Sequence, residues 1–547
     1  MSYLLPFILA MVVTMAGLPV LVRFANKWLF VDEPGERKVH SLPIPRVGGL
    51  AMACGVVVAA TVTIDLQSQD RWFLVAGGVL VVFGALDDRL NLDYRIKLIG
   101  QLLAVGIVIV FGNVQIHTIT LDDRILLPGW ISMPLTTLFL VGVTNAINLA
   151  DGLDGLAGGT TFLCLCAIAL LSKVGDPGTS TALALAFAGA VLGFLRFNTY
   201  PASVFMGDAG SQLLGFTLGV LSVRATQNAA SQISAALPIL LLAWPILDTM
   251  SVMAQRISEG RSPFSADKNH IHHKLLALGF DQHEAVMVIY VVQAALFVTA
   301  YFMRYESDLR ILGVVTAFFV ASITILQVAA RSGWRLRERS RGADDAPVSR
   351  LVNAIRRTKL LPRLSYVAIA VGLGAYAALI IVETVGGLSR DIRTLVIALL
   401  AVIVGILGVM RVAPLSLMDK AALYVTATVL VYLDALVLPA NRLESVLSWV
   451  AVSVAALATA IRLRLFNDRR FELTPLDLIV LFMALVVPNL PGTLGLPHGG
   501  ALAIAKLVVV FYAIEMLTNR SEDKAVWVRI GAASVLAGLT VRSFVTL

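Results

Sequence analysis

The sequence predicts an all-α polytopic membrane protein, and three observations carry that prediction. Apolar residues make up 58% of the 547-residue chain and charged residues only 14%, against roughly 45–50% and 25% in soluble globular domains. The apolar residues gather into separate runs, and at about 20 residues per span and about 10 per connection the chain has room for roughly 18 helices. In lipid only helices and closed barrels satisfy the backbone, so the core is expected to be helical. A single-span receptor, a secreted disulfide scaffold and a zinc module are excluded. The only cysteines, Cys54, Cys164 and Cys166, lie inside apolar runs, where a thiol acts as a small hydrophobe. The net charge of +8 gives no reason to expect nucleic acid, because basic residues of a polytopic chain mark its cytoplasmic loops.

The first run, residues 3–22, has no basic residues before it and no small-x-small cleavage site after it, which indicates an uncleaved helix rather than a signal peptide. Arg23, Lys27, Arg37, Lys38 and Arg46 follow closely, so this loop is expected in the cytoplasm and the N-terminus outside. Further runs centre near residues 56, 80, 104, 141, 165, 187, 218, 245, 293 and 319, giving about 11 transmembrane helices in a first domain, residues 1–330. Residues 114–133 alternate Val, Ile, Thr and Leu with polar residues, the signal of a short extracytoplasmic β-hairpin. Residues 331–363 hold ten Lys and Arg against three acids, a basic cytoplasmic linker suited to anionic headgroups. Runs near residues 375, 402, 430, 452, 482, 508 and 535 add about 7 helices in an accessory membrane domain, residues 364–547. Glu383, Asp434 and Glu515 are isolated there, and helix packing or snorkelling is their expected role.

With orientation assigned, the outside loops of the first domain are short and chemically poor, whereas four inside loops are rich. They are the stretches 86–97, with Asp87, Asp88 and Lys97; 145–159, with Asn148, Asp151 and Asp154; 197–211, with Asp208; and 256–274, with Arg256, His270, His272 and His273. Acids, amides and histidines from separate loops thus meet one membrane face. The Gly-Leu-Asp-Gly-Leu-Ala-Gly-Gly run from Gly152 needs backbone freedom. A few oxygen ligands suit Mg²⁺, which keeps several waters and is completed by substrate phosphates; Mn²⁺ is the alternative ion. Histidines and neighbouring Lys and Arg then neutralise what the metal does not. This is the equipment of phosphoryl transfer. Zinc is a poorer reading of the histidines, which lack the i, i+4 spacing of a helical zinc pair and have no cysteine nearby. Asp248, inside the span that feeds the histidine loop, is expected either to orient that loop or to pair with a neighbouring helix.

At these residues the sequence resembles the polyprenyl-phosphate N-acetylhexosamine-1-phosphate transferases, in particular the bacterial undecaprenyl-phosphate GlcNAc-1-phosphate branch. The resemblance covers roughly residues 1–330. It rests on the stretches 32–40 and 45–49, the Asp87-Asp88 pair, residues 145–159, Phe205-Met206-Gly207-Asp208 with Gly210-Ser211, and the His-Ile-His-His element. It implies transfer of a sugar 1-phosphate from a UDP-N-acetylhexosamine to undecaprenyl phosphate, releasing UMP, at the cytoplasmic face of a bacterial inner membrane. It implies Asp208 as the Mg²⁺ ligand and Asp87 and Asp88 as groups that handle lipid phosphate or metal. It places Asn148, Asp151 and Asp154 on the nucleotide-sugar side and His270, His272 and His273 over the pyrophosphate. Asp87, Asp88, Asp151 and His272 are the expected catalytic groups; Lys97 and Arg256 join Asn148, Asp154, His270 and His273 in substrate binding. Many relatives carry an acid where this chain has Asn91. Direct in-line displacement is favoured over a covalent aspartyl-phosphate. The expected partners are the two substrates, membrane lipids and a second copy of the chain as a homodimer. A secondary transporter or lipid flippase is the rival from another class, and would place its acids halfway across the membrane.

Overall fold

The computed structural model describes residues 4–28, 30–32, 43–120, 124–175, 178–228, 231–262, 270–336, 360–384, 396–397, 400, 417–437, 442–466, 475–485, 499–518 and 525–544. It is helical for most of its described residues. Two compact units divide it: residues 1–339 with 474–479, and residues 340–473 with 480–547.

In the first unit every one of the apolar runs is a helix. They are α1 (Leu4–Trp28), α2 (Gly48–Thr63), α3 (Ser68–Leu90), α4 (Tyr94–Val110), α5 (Gly129–Ala150), α6 (Leu156–Gly175), α7 (Thr179–Asn198), α8 (Gly207–Gln227), α9 (Leu237–Leu241) with α10 (Ala243–Ser258), α12 (Gln282–Met303) and α13 (Asp308–Arg331). The run near residue 245 is broken at Leu242, between Pro238 and Pro245, because each proline removes a backbone donor. A seven-residue helix, α11 (Ile271–Ala277), follows it. Two small antiparallel pairs complete the unit: β1 (Val31–Asp32) with β2 (Ile44–Pro45), and β3 (Thr118–Thr120) with β4 (Arg124–Leu126), the latter in register Ile119 opposite Ile125. Among the described residues six helices, α1, α5, α7, α12, α13 and the later Leu360–Glu383, are long and apolar enough to cross a membrane.

Helix α8 is the hub of the unit. It is buried along nearly its whole length, packed by α2, α3, α5 and α6, so it needs no lipid-facing stripe and tolerates Ser, Gln and Thr in its interior. Two neighbours reach its first turn through glycine. A Cβ on Gly49 would lie 2.2 Å from the Gly210 nitrogen, and one on Gly84 2.4 Å from Ala209 Cα. Small residues at such crossings allow backbone contact, which brings the carboxylate-bearing end of α3 against the start of α8.

The second unit contains the helices Leu360–Glu383, Leu417–Val437, Arg442–Phe466, Gly499–Thr518 and Ala525–Phe544, and part of Pro475–Leu485. Ile369, Ala455, Ala458 and Ala513 form a core among three of them. Asp434 is not isolated as the sequence suggested. Lys506 Nζ lies 2.5 Å from its Oδ2, and the Ser448 hydroxyl donates to its Oδ1 at 3.0 Å. All three side chains are buried, a partnership that lets a charge sit at membrane depth. The apolar run near residue 402, most of the basic linker, residues 33–42 and the histidine loop from 263 to 269 lie outside the described residues.

Candidate active site

The sequence motifs converge at one end of α3, α4, α5 and α8. Helix α3 stops at Asn91, which takes a left-handed conformation (φ 49°) as its C-cap. Asparagine tolerates this geometry better than most side chains, and the turn delivers Asp87 and Asp88 to a fixed helix end. Asp87 Oδ1 accepts the Leu92 amide at 2.7 Å and so closes the same turn.

Asp88 is committed to α8. Its Oδ1 accepts the Asp208 amide at 2.9 Å and its Oδ2 the Ala209 amide at 3.2 Å. The carboxylate serves as a cap supplied from another helix, satisfying amide groups that a helix start leaves open and complementing its dipole. Gly207, at φ +70°, makes room for it: an added Cβ would stand 2.4 Å from Asp88 Oδ2. Arg46 lies beside this pair, ion-paired with Asp32 and 3.9 Å from Asp88 Oδ1.

Asp208, in the first turn of α8, is held from two sides. Asn148, near the end of α5, donates to its Oδ1 at 2.7 Å and lies at the same distance from the Ser211 hydroxyl. Lys97, from the first turn of α4, donates to Oδ2 at 3.1 Å and is ion-paired with Asp87 as well. The Asp87 and Asp208 carboxylates are therefore neighbours sharing one lysine. Behind them Gln101, Asn145 and Gln212 form an amide network, with Asn145 Nδ2 donating to Gln101 Oε1 at 2.8 Å.

The loop from 151 to 155 forms the next wall. Asp151 is the C-cap of α5; burial, then the charges of Asp208, Asp88 and Asp154, push its carboxyl up to about 7. Asp154 turns away and accepts the Ala202 amide at 2.9 Å. Over this loop lies His272: a Cβ on Gly152 would meet its Nε2 at 2.5 Å. Burial lowers the His272 imidazole to about 4, so it is neutral at pH 7. His273 packs on it with ring centroids 4.4 Å apart, and the His270 ring stacks with it at 5.5 Å. Asp248 of α10 holds the element in place, accepting from the Ile271 amide at 2.6 Å and pairing with His270 Nδ1 at 2.8 Å. Arg256 is buried about two turns further along α10.

The structure thus brings Asp87, Asp88, Lys97, Asn148 and Asp208 into one contact group and seats His272 on the Asp151 loop. Asp154 and His270 have structural partners, and Arg256 lies on a supporting helix. Sequence reasoning gave no role to Arg46, Gln101 or Ser211. Only Arg46 and Ser211, inside quoted motifs, carried a signal.

The donor set fits Mg²⁺. Among the described residues no three of His, Cys, Asp and Glu form a metal-holding group, but Mg²⁺ is commonly held by one or two carboxylates, waters and phosphate. Asp87 and Asp208 are such a pair. Lys97 Nζ, which touches Asp87 Oδ2 and Asp208 Oδ2, shows that a cation is accommodated between the two carboxylates.

A family model, glycosyl transferase family 4, matches residues 71–226, the span that holds Asp87, Asp88, Lys97, Asn148, Asp151, Asp154 and Asp208. The chain is 38% identical over 292 residues, 52% of its length, to 80% of a probable undecaprenyl-phosphate N-acetylglucosaminyl 1-phosphate transferase of Bacillus subtilis. The chain belongs to the polyprenyl-phosphate N-acetylhexosamine-1-phosphate transferases. Other members of this transferase family are similar at comparable levels. A decaprenyl-phosphate N-acetylglucosaminephosphotransferase of Mycolicibacterium smegmatis is 37% identical over 310 residues, 50% of this chain and 76% of that one. The undecaprenyl-phosphate alpha-N-acetylglucosaminyl 1-phosphate transferase of Escherichia coli K12 is 34% identical over 282 residues, 50% of this chain and 76% of its own. About half of this chain therefore has a counterpart in each of these transferases.

Proposed function

We propose that this protein transfers N-acetylglucosamine 1-phosphate from UDP-N-acetylglucosamine to undecaprenyl phosphate, releasing UMP, at the cytoplasmic face of a bacterial plasma membrane. The observation that carries the reading is the Asp87–Lys97–Asp208–Asn148 group, assembled from four helix ends inside the family-matched segment. The activities for which the relatives are named support the lipid phosphate and the sugar. The basic loop residues support the cytoplasmic side. A transporter would need these carboxylates at mid-membrane, whereas they lie at helix ends.

The attacking group is a phosphate monoester with a second pKa near 6, mostly dianionic at pH 7, so no strong base is required. The obstacle is charge: two unit anions at ~4 Å repel by on the order of 4 kcal/mol at an effective dielectric of 20. Among the described residues, Lys97 and Arg46 are cations placed to reduce it. His272, neutral at pH 7, offers a hydrogen bond rather than a charge. Asp151, whose carboxyl is raised by burial and by the neighbouring acids Asp208, Asp88 and Asp154, is placed to share a proton with a phosphate oxygen. Asn148 and Asp88 fix the position of Asp208, the first from its side chain and the second from its amide. Mg²⁺, which Asp208 and Asp87 would hold, supplies further neutralisation of pyrophosphate charge.

Incubating the purified full-length chain with undecaprenyl phosphate and a panel of UDP-sugars tests the reading. UMP and a lipid-linked GlcNAc pyrophosphate are expected with UDP-N-acetylglucosamine. Absence of UMP with every donor overturns it.

A further inference from the structure

The opposite end of the same helices carries a second built site. Asp70 begins α3 and Asp87 ends it, about 26 Å apart at 1.5 Å per residue, close to the roughly 30 Å of a hydrocarbon core. Around Asp70, a cavity of about 500 Å³ opens between the starts of α3 and α7, the segment after α4 and the end of α8. Along the chain these loops read as short and chemically poor.

Its lining is polar in a specific way. Gln67, Gln69, Asn113 and Gln115 supply amides, and Ser172, Thr179 and Ser180 supply hydroxyls. Among the described residues the lining carries one acid–base pair, Asp70 and Arg224, and its members neutralise each other: Arg224 Nη1 donates to Asp70 Oδ1 at 2.7 Å. The back wall is rigid, because Gln227 is spent on the 117–118 backbone, accepting both amides at 3.1 and 2.9 Å. Two lining atoms are left over. Arg224 Nη2 and the Ser172 hydroxyl are buried with no hydrogen-bond partner among the described residues, although buried polar groups are nearly always paired. Helix α7 has Gly178 as its N-cap and no side-chain cap, so its first amides add donors to the rim.

A cavity of this volume is within the range of small-molecule sites. The Asp70–Arg224 pair, the charged pair among its described lining residues, is internally balanced, and the amides, hydroxyls and spare guanidinium nitrogen match a neutral ligand rich in hydroxyl and acetamido groups. We infer that this cavity is a saccharide-binding site, distinct from the phosphoryl-transfer group and on the other side of the membrane from it. In the orientation proposed above it faces outward, where the cytoplasmic nucleotide sugar does not reach.

The test is saturation-transfer NMR on the full-length chain in nanodiscs, with N-acetylglucosamine, its β-1,4 disaccharide, glucose and inorganic sulfate as probes. Transfer to the N-acetylated sugars is expected. It should be lost in Ser180→Trp, which fills the cavity from its rim, and weakened at least fivefold in Ser172→Ala, with thermal unfolding and UMP release unchanged in both. Gln69→Ala, at an exposed position, gives a second reading if Ser172→Ala alters folding. No transfer to any saccharide, binding of sulfate in preference to sugars, or saccharide transfer that persists in folded Ser180→Trp protein overturns the inference.

Discussion

Replacing Gly207 by alanine tests how the Asp208 carboxylate is positioned. The residue sits at φ +70°, and the added methyl would stand 2.4 Å from Asp88 Oδ2 and 2.8 Å from its Cγ. Holding an alanine in the left-handed region costs about 1–2 kcal/mol. Asp88 must also retreat and give up at least one of its bonds to the Asp208 and Ala209 amides, worth about 1.5–3 kcal/mol for a charged acceptor. The sum is about 2.5–5 kcal/mol, and it falls on the turn that carries Asp208. Thermal inactivation followed by residual UMP release reads the stability, and turnover at low temperature reads the geometry. Both should drop sharply in Gly207→Ala. Gly142→Ala on α5, where an added methyl meets nothing within 4 Å, should be neutral or stabilising by up to about 1 kcal/mol. Wild-type midpoint and turnover in Gly207→Ala would refute the capping argument.

Three further perturbations follow from the same contacts. Lys97→Met leaves Asp87 and Asp208 facing each other without their shared cation; turnover should fall at least a hundredfold, about 3 kcal/mol in barrier, with a smaller loss in Lys97→Arg, and a fall under threefold would contradict the role given to the lysine. His272 has its folded pKa, about 4, below its ordinary 6.5, so the unfolded state binds more protons between those values and stability should decline as pH drops from about 6.5 to 4. Inactivation midpoints in that window should flatten in His272→Gln, and an unchanged slope would remove the burial argument. In the second unit, Asp434→Asn or Lys506→Met alone should destabilise by about 3–5 kcal/mol, because each leaves a buried charge unpaired. The double variant should be milder than the sum of the two, and strict additivity would show that the ion pair is not coupled.

Much of the site was legible because its chemistry is written in residue types. Asp87, Asp88, Asn148 and Asp208 stand out as polar residues at the ends of apolar runs, and those runs all proved to be helices. What the residues pair with was not legible. Asp88 finds backbone amides 120 residues away, and a peptide N–H carries no residue identity for a motif to mark. The Arg224–Asp70 pair, 154 positions apart, and the Lys506–Asp434 pair, 72 apart, each join residues that look solitary along the chain, since tertiary packing alone sets which helices meet. Asp248 was legible as an intramembrane acid, while its two bonds to the start of α11 depend on a helix of seven residues, too short to show a period.

UMP release by Asp208→Asn, compared with the wild type across a full Mg²⁺ titration in the presence of undecaprenyl phosphate and UDP-N-acetylglucosamine, tests the central claim most directly. The assignment of Asp208 to the reacting phosphates requires turnover to vanish at every Mg²⁺ concentration while the protein stays folded. Near-normal UMP release by that variant would contradict it.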